Sequence, residues 1–96
     1  GARADAAPLL AEAARLAERG GEHTLAAEIR RRLVVEHAQA PEVAEATLAL
    51  ARHASRTGTG EEEAIRLLEE LITSRPTAAV VPEARLELQR LRNRGS

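Results

Sequence analysis

The stretch that decides the fold is residues 58–71, GTGEEEAIRLLEEL. Its glycines interrupt regular structure, and Thr59 followed three residues later by Glu62 is typical of a capping box at the start of a helix. Three glutamates occupy the first turn, where the helix dipole favours acidic side chains. Apolar residues then recur at helical spacing through Leu68 and Leu71. The stretch therefore predicts an amphipathic α-helix.

Similar patterns predict four more helices. Alanine, leucine, glutamate and arginine dominate the chain, and all four are strong helix formers. Asp5 is suited to cap the start of the first helix, and Gly20-Gly21 to close its end. The predicted class is all-α, in a single domain over residues 1–96, with helices at about residues 6–19, 22–37, 41–56, 61–74 and 82–93.

Each predicted helix has an apolar face at intervals of three and four residues. In the first helix we expect this inward face at Leu9, Ala13, Leu16 and Ala17. The third helix has two such faces, one through Leu50 and one through Leu48, which indicates packing between two neighbours. In the second helix the inward residues expected are Leu25 or Ala26, Ile29, Leu33 and Val34. In the fourth they are Ala64 or Ile65, Leu68, Leu71 and Ile72. In the fifth they are Val81, Ala84, Leu88 and Leu91.

Composition excludes several classes of function. Fourteen basic and fifteen acidic residues leave a net charge of −1, which gives no general attraction to nucleic acid. No apolar run approaches the about 18 residues that a membrane span needs. The chain has no cysteine, no aromatic residue and no lysine, so its core must consist of aliphatic side chains and all its cations are arginines. We therefore expect no nucleic-acid partner and no membrane insertion.

A shift of 38 residues aligns the two halves of the chain. The matching residues are Gly20 with Gly58, Ala26 with Ala64, Leu33 with Leu71, Ala40 with Ala78, Glu45-Ala46 with Glu83-Ala84, and Leu48, Leu50, Arg52 and Arg56 with Leu86, Leu88, Arg90 and Arg94. A fixed period of this length predicts stacked helical hairpins, each of which buries its apolar face against the next. Five helices make two and a half such hairpins, and the fifth helix covers the open end.

Two groups of residues carry a family resemblance: Gly21 with Ala26, and Ala64, Leu68 and Leu71 with the closing Pro76. In this pattern a small residue packs helix against helix, larger apolar residues follow, and a proline ends the unit. The chain resembles tetratricopeptide-like (TPR-like) helical repeats, in particular the longer-loop repeats of bacterial cell-envelope assembly proteins. The resemblance implies a right-handed five-helix α–α repeat with an interaction or assembly role and no enzymatic activity. It leaves the cell envelope, the periplasm and the cytoplasm of a bacterium open as compartments.

The leading hypothesis for function is a protein-interaction or assembly scaffold module. The repeat register predicts a shallow protein-binding groove formed by Arg15, Glu18, Ala49, His53 and Arg56, for a protein or peptide partner that the sequence does not identify. A second hypothesis is a structural homo-oligomer that uses Val34-Val35 and Val80-Val81 as spare apolar surface. A third is a designed helical protein without natural function. The restricted set of residue types favours it, whereas arginine-only cations are more typical of a GC-rich genome.

No catalytic, cofactor or metal site is expected. The three histidines, His23, His37 and His53, are 14 and 16 residues apart, whereas paired helical ligands lie three or four residues apart. A cation site is the alternative use of the glutamates at residues 61–63, and the start of a helix is the interpretation we adopt. Serine and threonine hydroxyls lie near predicted helix ends, where they cap backbone groups.

Three consecutive arginines, Arg30, Arg31 and Arg32, form the most concentrated positive charge. Successive helical side chains project about 100° apart, so the three do not form one patch. We expect Arg32 to pair with Glu28, one turn earlier, and Arg31 and Arg32 to lie in solvent. The shift of 38 aligns Arg30 with the inward Leu68, so its stem should cover the core edge while its guanidinium reaches solvent.

Overall fold

A computed structural model of the protein describes residues 6–58 and 60–95. Across these residues the chain forms five α-helices and no strand, which confirms the all-α prediction. The helices are α1 (Ala6–Arg19), α2 (His23–Glu36), α3 (Glu42–Arg56), α4 (Glu61–Ser74) and α5 (Val81–Arg94). The caps expected at Asp5 and Thr59 lie outside the described residues.

The chain divides into two compact units, one ending at Ala46 and the other beginning at Thr47. The first contains α1, α2 and residues 42–46 of α3, and the second contains the rest of α3, α4 and α5. A single domain over the whole chain stays a prediction. None of the helices over residues 6–58 and 60–95 combines the length and the apolar character that crossing a bilayer demands.

Gly21 reverses the chain between α1 and α2. Its φ of +82° lies in the left-handed region, which glycine adopts without a steric penalty. Two backbone hydrogen bonds close the helix end: Glu22 N–H donates to the Ala17 carbonyl over 2.8 Å, and Gly21 N–H donates to the Glu18 carbonyl over 3.1 Å. This pair of bonds is a Schellman motif, so the glycine pair ends α1 as the sequence predicts.

Small side chains form much of the core of the first unit. Its central cluster consists of Ala7, Ala11, Leu33 and Ala46, and Ala14 and Ala26 are fully buried beside it. Alanine at a helix contact leaves little volume between the two backbones, so the helices can approach closely. Leu33 is the one large side chain of the first unit's described residues that is fully buried.

The inward face predicted for α1 is wrong. Leu9 and Leu16 are 69% and 56% exposed, whereas Ala7, Ala11 and Ala14 are buried. Both sets lie at helical spacing, and the prediction favoured the larger side chains. The alanine face packs inward because a helix lined by alanines can lie close to its neighbour.

The second unit has a core of larger aliphatic side chains. Leu68 and Leu91 are fully buried, and Ala64, Leu71, Val81, Ala84 and Leu88 are buried as predicted. Ile72, which was also expected to face inward, is only half-buried. Glu87 of α5 is also buried, and it pairs with Arg90 and with Arg52, whose Nε lies 3.9 Å from Glu87 Oε1. A buried carboxylate needs such partners, because desolvation of its charge is costly.

Gly60 leaves no room for a side chain at the start of α4. A Cβ atom at this position would lie 2.3 Å from the Ala54 carbonyl oxygen. The close approach brings the end of α3 against the start of α4 within the second unit. The glutamates of the first turn follow, and Glu61 pairs with Arg94 over 2.9 Å while Glu63 pairs with Arg66 over 3.6 Å.

Candidate functional site

Glu18 lies at the centre of an ion-pair cluster at the α1–α2 turn. Its Oε1 accepts a hydrogen bond from Arg30 Nη1 over 2.6 Å, and its Oε2 pairs with His23 Nδ1. The hydrogen bond from Arg30 has the larger effect and that from His23 the smaller, and together they hold the pKa of Glu18 below its usual range. The cluster therefore ties the end of α1 to α2.

This cluster corrects the prediction for Arg30. The guanidinium does not end in solvent: the side chain is 12% exposed, and its head group binds Glu18. A carboxylate from α1 lies within reach, and an ion pair costs less than leaving a nearly buried cation unpaired. Arg31 is exposed as expected. Arg32 is also largely exposed, and it pairs with Glu36 over 3.2 Å, one turn after the residue rather than before it.

Arg15, the other predicted groove residue on α1, links α1 to the start of α3 inside the first unit. Its Nη1 donates a hydrogen bond to Glu45 Oε1 over 3.0 Å, and its Nη2 lies 3.3 Å from Glu12 Oε2. The hydrogen bond to Glu45 raises the pKa of Arg15 above its ordinary value. Both predicted groove residues of α1 are thus engaged in ion pairs that join helices.

The remaining predicted groove residues lie on α3 within the second unit. Ala49, His53 and Arg56 recur at intervals of four and three residues, so they share one face of the helix. Ala49 and His53 are half-buried, and Arg56 is exposed. The grouping of all five residues into one groove stays a prediction.

A groove that was not predicted runs between α4 and α5 in the second unit. It has a volume of about 600 Å³ and is defined here as the α4–α5 groove, lined by Glu69, Ile72, Thr73, Arg85, Leu88, Gln89, Arg92 and Asn93. Half-buried Ile72 supplies apolar surface, and Leu88, which is 7% exposed, contributes little. Arg85 and Gln89 are exposed polar residues of α5. An ion pair between Arg92 and Glu69 joins the two helices here.

Arg85 is the uncompensated charge of the α4–α5 groove. No carboxylate among the described residues lies within ion-pair distance of its guanidinium, whereas the charge of Arg92 is balanced by Glu69. A signal was present in the sequence: the shift of 38 aligns Arg85, Gln89 and Asn93 of α5 with Thr47, Ala51 and Ser55 of α3. The α3 residues are buried and the α5 residues exposed, so this face of α5 has become polar.

The apolar surface predicted for oligomerisation is only partly available. Val34 packs against the core cluster of the first unit, and Val81 is buried in the second. Val35 is 78% exposed, and Val80 is half-buried. The prediction is therefore wrong for Val34 and Val81, because both turn toward a core.

Two further features concern possible metal ligands and hydroxyl groups. Over residues 6–58 and 60–95, no group of three or more histidine, cysteine, aspartate or glutamate side chains is arranged to hold a metal ion. The Ser55 hydroxyl donates to the Arg52 carbonyl over 2.9 Å, and the Thr57 hydroxyl donates to the Ala54 carbonyl over 2.8 Å. Both hydroxyls thus bond the backbone near the end of α3, as the sequence predicts.

Comparison with protein-family models, with curated proteins and with solved structures found no match. Function therefore has to be inferred from the residues themselves.

Proposed function

We propose that the protein is a non-enzymatic interaction module of the scaffold type, which binds a protein segment in the α4–α5 groove. The observation that carries the proposal is the combination of apolar surface at half-buried Ile72 with the unpaired cation of Arg85. Protein-binding sites typically join an apolar centre to a polar rim that sets orientation. A helix groove of this kind accepts a peptide with apolar residues at regular intervals.

The charges of the groove favour an acidic partner. Arg85 presents a guanidinium that is free to bind a carboxylate in two parallel hydrogen bonds. Glu69 does not oppose this, because its own carboxylate is paired with Arg92. The partner segment we infer therefore carries aspartate or glutamate beside apolar side chains.

The proposal includes a right-handed TPR-like repeat with a period of 38. Helices α2 and α4 begin at His23 and Glu61 and end at Glu36 and Ser74, 38 residues apart at each end. The loops that follow them share three backbone hydrogen bonds at the same spacing, to the carbonyls of Leu33, His37 and Ala40 after α2 and to those of Leu71, Arg75 and Ala78 after α4. Recurrence of sequence, helix limits and loop bonding supports one repeated unit. Scaffold modules commonly use repeats of this kind for binding.

Selection from a random peptide library on the immobilised chain tests the proposed function. We expect peptides rich in acidic and apolar residues. Their affinity, measured by fluorescence anisotropy of labelled peptide, should fall about tenfold in Arg85→Glu, because attraction becomes repulsion. Ile72→Ala should weaken binding as well. Arg31→Glu makes the same charge change at an exposed arginine of α2 and should leave affinity unchanged.

Two outcomes would count against the proposal in different ways. A selection that enriches no peptide contradicts the function itself. The other outcome is binding that is unchanged in Arg85→Glu and Ile72→Ala and lost in His53→Ala or Arg56→Glu. That result supports an interaction function but places the binding site on the predicted face of α3.

A further inference from the structure

The outward face of α1 exposes two leucines in line. Leu9 and Leu16 lie seven residues apart and are 69% and 56% exposed. Their exposure is unfavourable, because removing a leucine side chain from water lowers the free energy. Ala13 and Gly20 continue the same line, four residues after each leucine. Gly20 is the first residue after α1, and its N–H still donates to the Leu16 carbonyl as in a helix. We call Leu9, Ala13, Leu16 and Gly20 the outer stripe of α1. Exposed apolar patches of this kind often mark association surfaces.

We propose that the outer stripe is a homodimerisation surface, on which α1 of a second copy of the chain packs antiparallel. Large and small residues alternate along the stripe. When Ala13 of one copy lies opposite Leu16 of the second copy, antiparallel geometry places Leu9 opposite Gly20 of the second copy. Each layer of the contact then sets a leucine against a residue with little or no side chain, which allows close packing without voids.

The charges beside the stripe select the same arrangement. Glu12 and Arg19 both lie along one edge of it, about 80° from its centre line by helical geometry. They are largely exposed, and Glu12 Oε1 lies 3.6 Å from Arg19 Nη2 within one chain. In an antiparallel pair of identical helices, the edge that carries Glu12 and Arg19 in one copy lies beside the same edge of the other copy. The alignment set by the leucines leaves Glu12 of one copy only about 3 Å along the axis from Arg19 of the other.

This arrangement forms two symmetric ion pairs between the copies. A parallel pair would instead place the charged edge against the opposite edge of the stripe, which carries Leu10 and Ala17. Side-chain size and side-chain charge therefore both favour the antiparallel pair in which Ala13 lies opposite Leu16 of the second copy. A contact made by one 14-residue helix from each copy is small compared with stable dimer interfaces, so we expect a reversible dimer.

Sedimentation velocity across a concentration series tests the dimer. The range runs from about 1 μM to about 1 mM, where small interfaces associate. Detection uses peptide-bond absorbance, because the chain has no aromatic residue. We expect the wild type to pass from monomer to dimer, and Leu9→Glu or Leu16→Glu to raise the dissociation constant about tenfold or more. Leu86→Glu is the matched control, since Leu86 of α5 is 68% exposed, and it should dimerise as the wild type does.

Charge reversal tests the antiparallel alignment. Glu12→Arg or Arg19→Glu alone should raise the dissociation constant about fivefold, because each sets like charges across the contact. The double variant Glu12→Arg with Arg19→Glu should return it to the wild-type value. Circular dichroism of every variant shows whether the helices are retained, and all these positions are on the surface.

Three outcomes overturn the inference. A chain that stays monomeric throughout the range has its outer stripe unused or covered by a different partner. A dimer that withstands both leucine variants, or that is lost in Leu86→Glu, uses another surface. A double charge variant that remains as weak as the single variants contradicts the antiparallel alignment.

Discussion

Replacement of Glu18 with glutamine removes the negative charge that Arg30 binds, while the size and the hydrogen-bonding oxygen of the side chain are kept. Arg30 is 12% exposed and Glu18 is 32% exposed, so the pair is neither fully buried nor freely solvated. Removing one partner of a buried pair costs about 3–5 kcal/mol, and a surface pair contributes about 0–1 kcal/mol. We expect Glu18→Gln to lower the free energy of unfolding by about 1–2 kcal/mol.

Glu12→Gln is the control on the same helix. Glu12 is 51% exposed and bonds Arg15 and Arg19 in solvent, so its loss should cost about 0.5 kcal/mol or less. Urea unfolding followed by circular dichroism measures both variants against the wild type. Equal stability of the Glu18 and Glu12 variants would refute the inference that the low exposure of Arg30 makes its ion pair with Glu18 the stronger one.

Acidity provides an independent check on the same pair. The pKa of Glu18 is lowered in the folded state, so the carboxylate binds protons less readily there than in the unfolded chain. Its contribution to stability is present above the unfolded pKa of about 4.3 and disappears as the pH falls through the lowered folded pKa. The difference between wild type and Glu18→Gln should therefore be large at neutral pH and vanish in strong acid. A difference that persists in acid would mean that charge is not its cause.

Other substitutions probe the two cores, and the same unfolding assay measures them. Gly60→Ala should destabilise the protein by about 2 kcal/mol or more, because its Cβ would collide with the Ala54 carbonyl. Gly20→Ala, whose Cβ would meet no atom nearer than 3.5 Å, should be tolerated, and equal losses would contradict the steric cause. Leu33→Ala should cost about 3 kcal/mol, since the side chain is fully buried, whereas Leu9→Ala should change stability by less than about 0.5 kcal/mol. A larger loss of stability in Leu9→Ala than in Leu33→Ala would indicate that the leucine face of α1, and not its alanine face, packs in the core.

The helices of this protein are predictable because their signals are local. Glycine, proline and helix-forming residues act within one or two turns, so the ends of α4 at Glu61 and Ser74 follow from neighbouring residues. Inward faces are equally clear where a helix has one apolar face, as in α5. Here Val81 and Leu91 are buried as expected.

Contacts between helices limited the remaining predictions. Helix α1 has two apolar faces, and the choice between them depends on which face suits the surface of α2. Local spacing does not contain that information. Arg30 illustrates the same point, because its partner Glu18 lies twelve residues earlier and is brought near only by the turn at Gly21. The α4–α5 groove was missed since a groove is formed by two surfaces, and periodicity describes one helix at a time.

The alanine face of α1 constrains the sequence more tightly than the leucine face does. An alanine side chain loses no rotamer entropy on burial, so Ala7, Ala11 and Ala14 pack at little entropic cost. The same close packing leaves no space for larger residues at these three positions, which makes the inner face intolerant of change. Leu9 and Leu16 on the outer side carry no such restriction. Evolution or protein engineering can therefore exchange the outer residues without disturbing the helix contact beneath them.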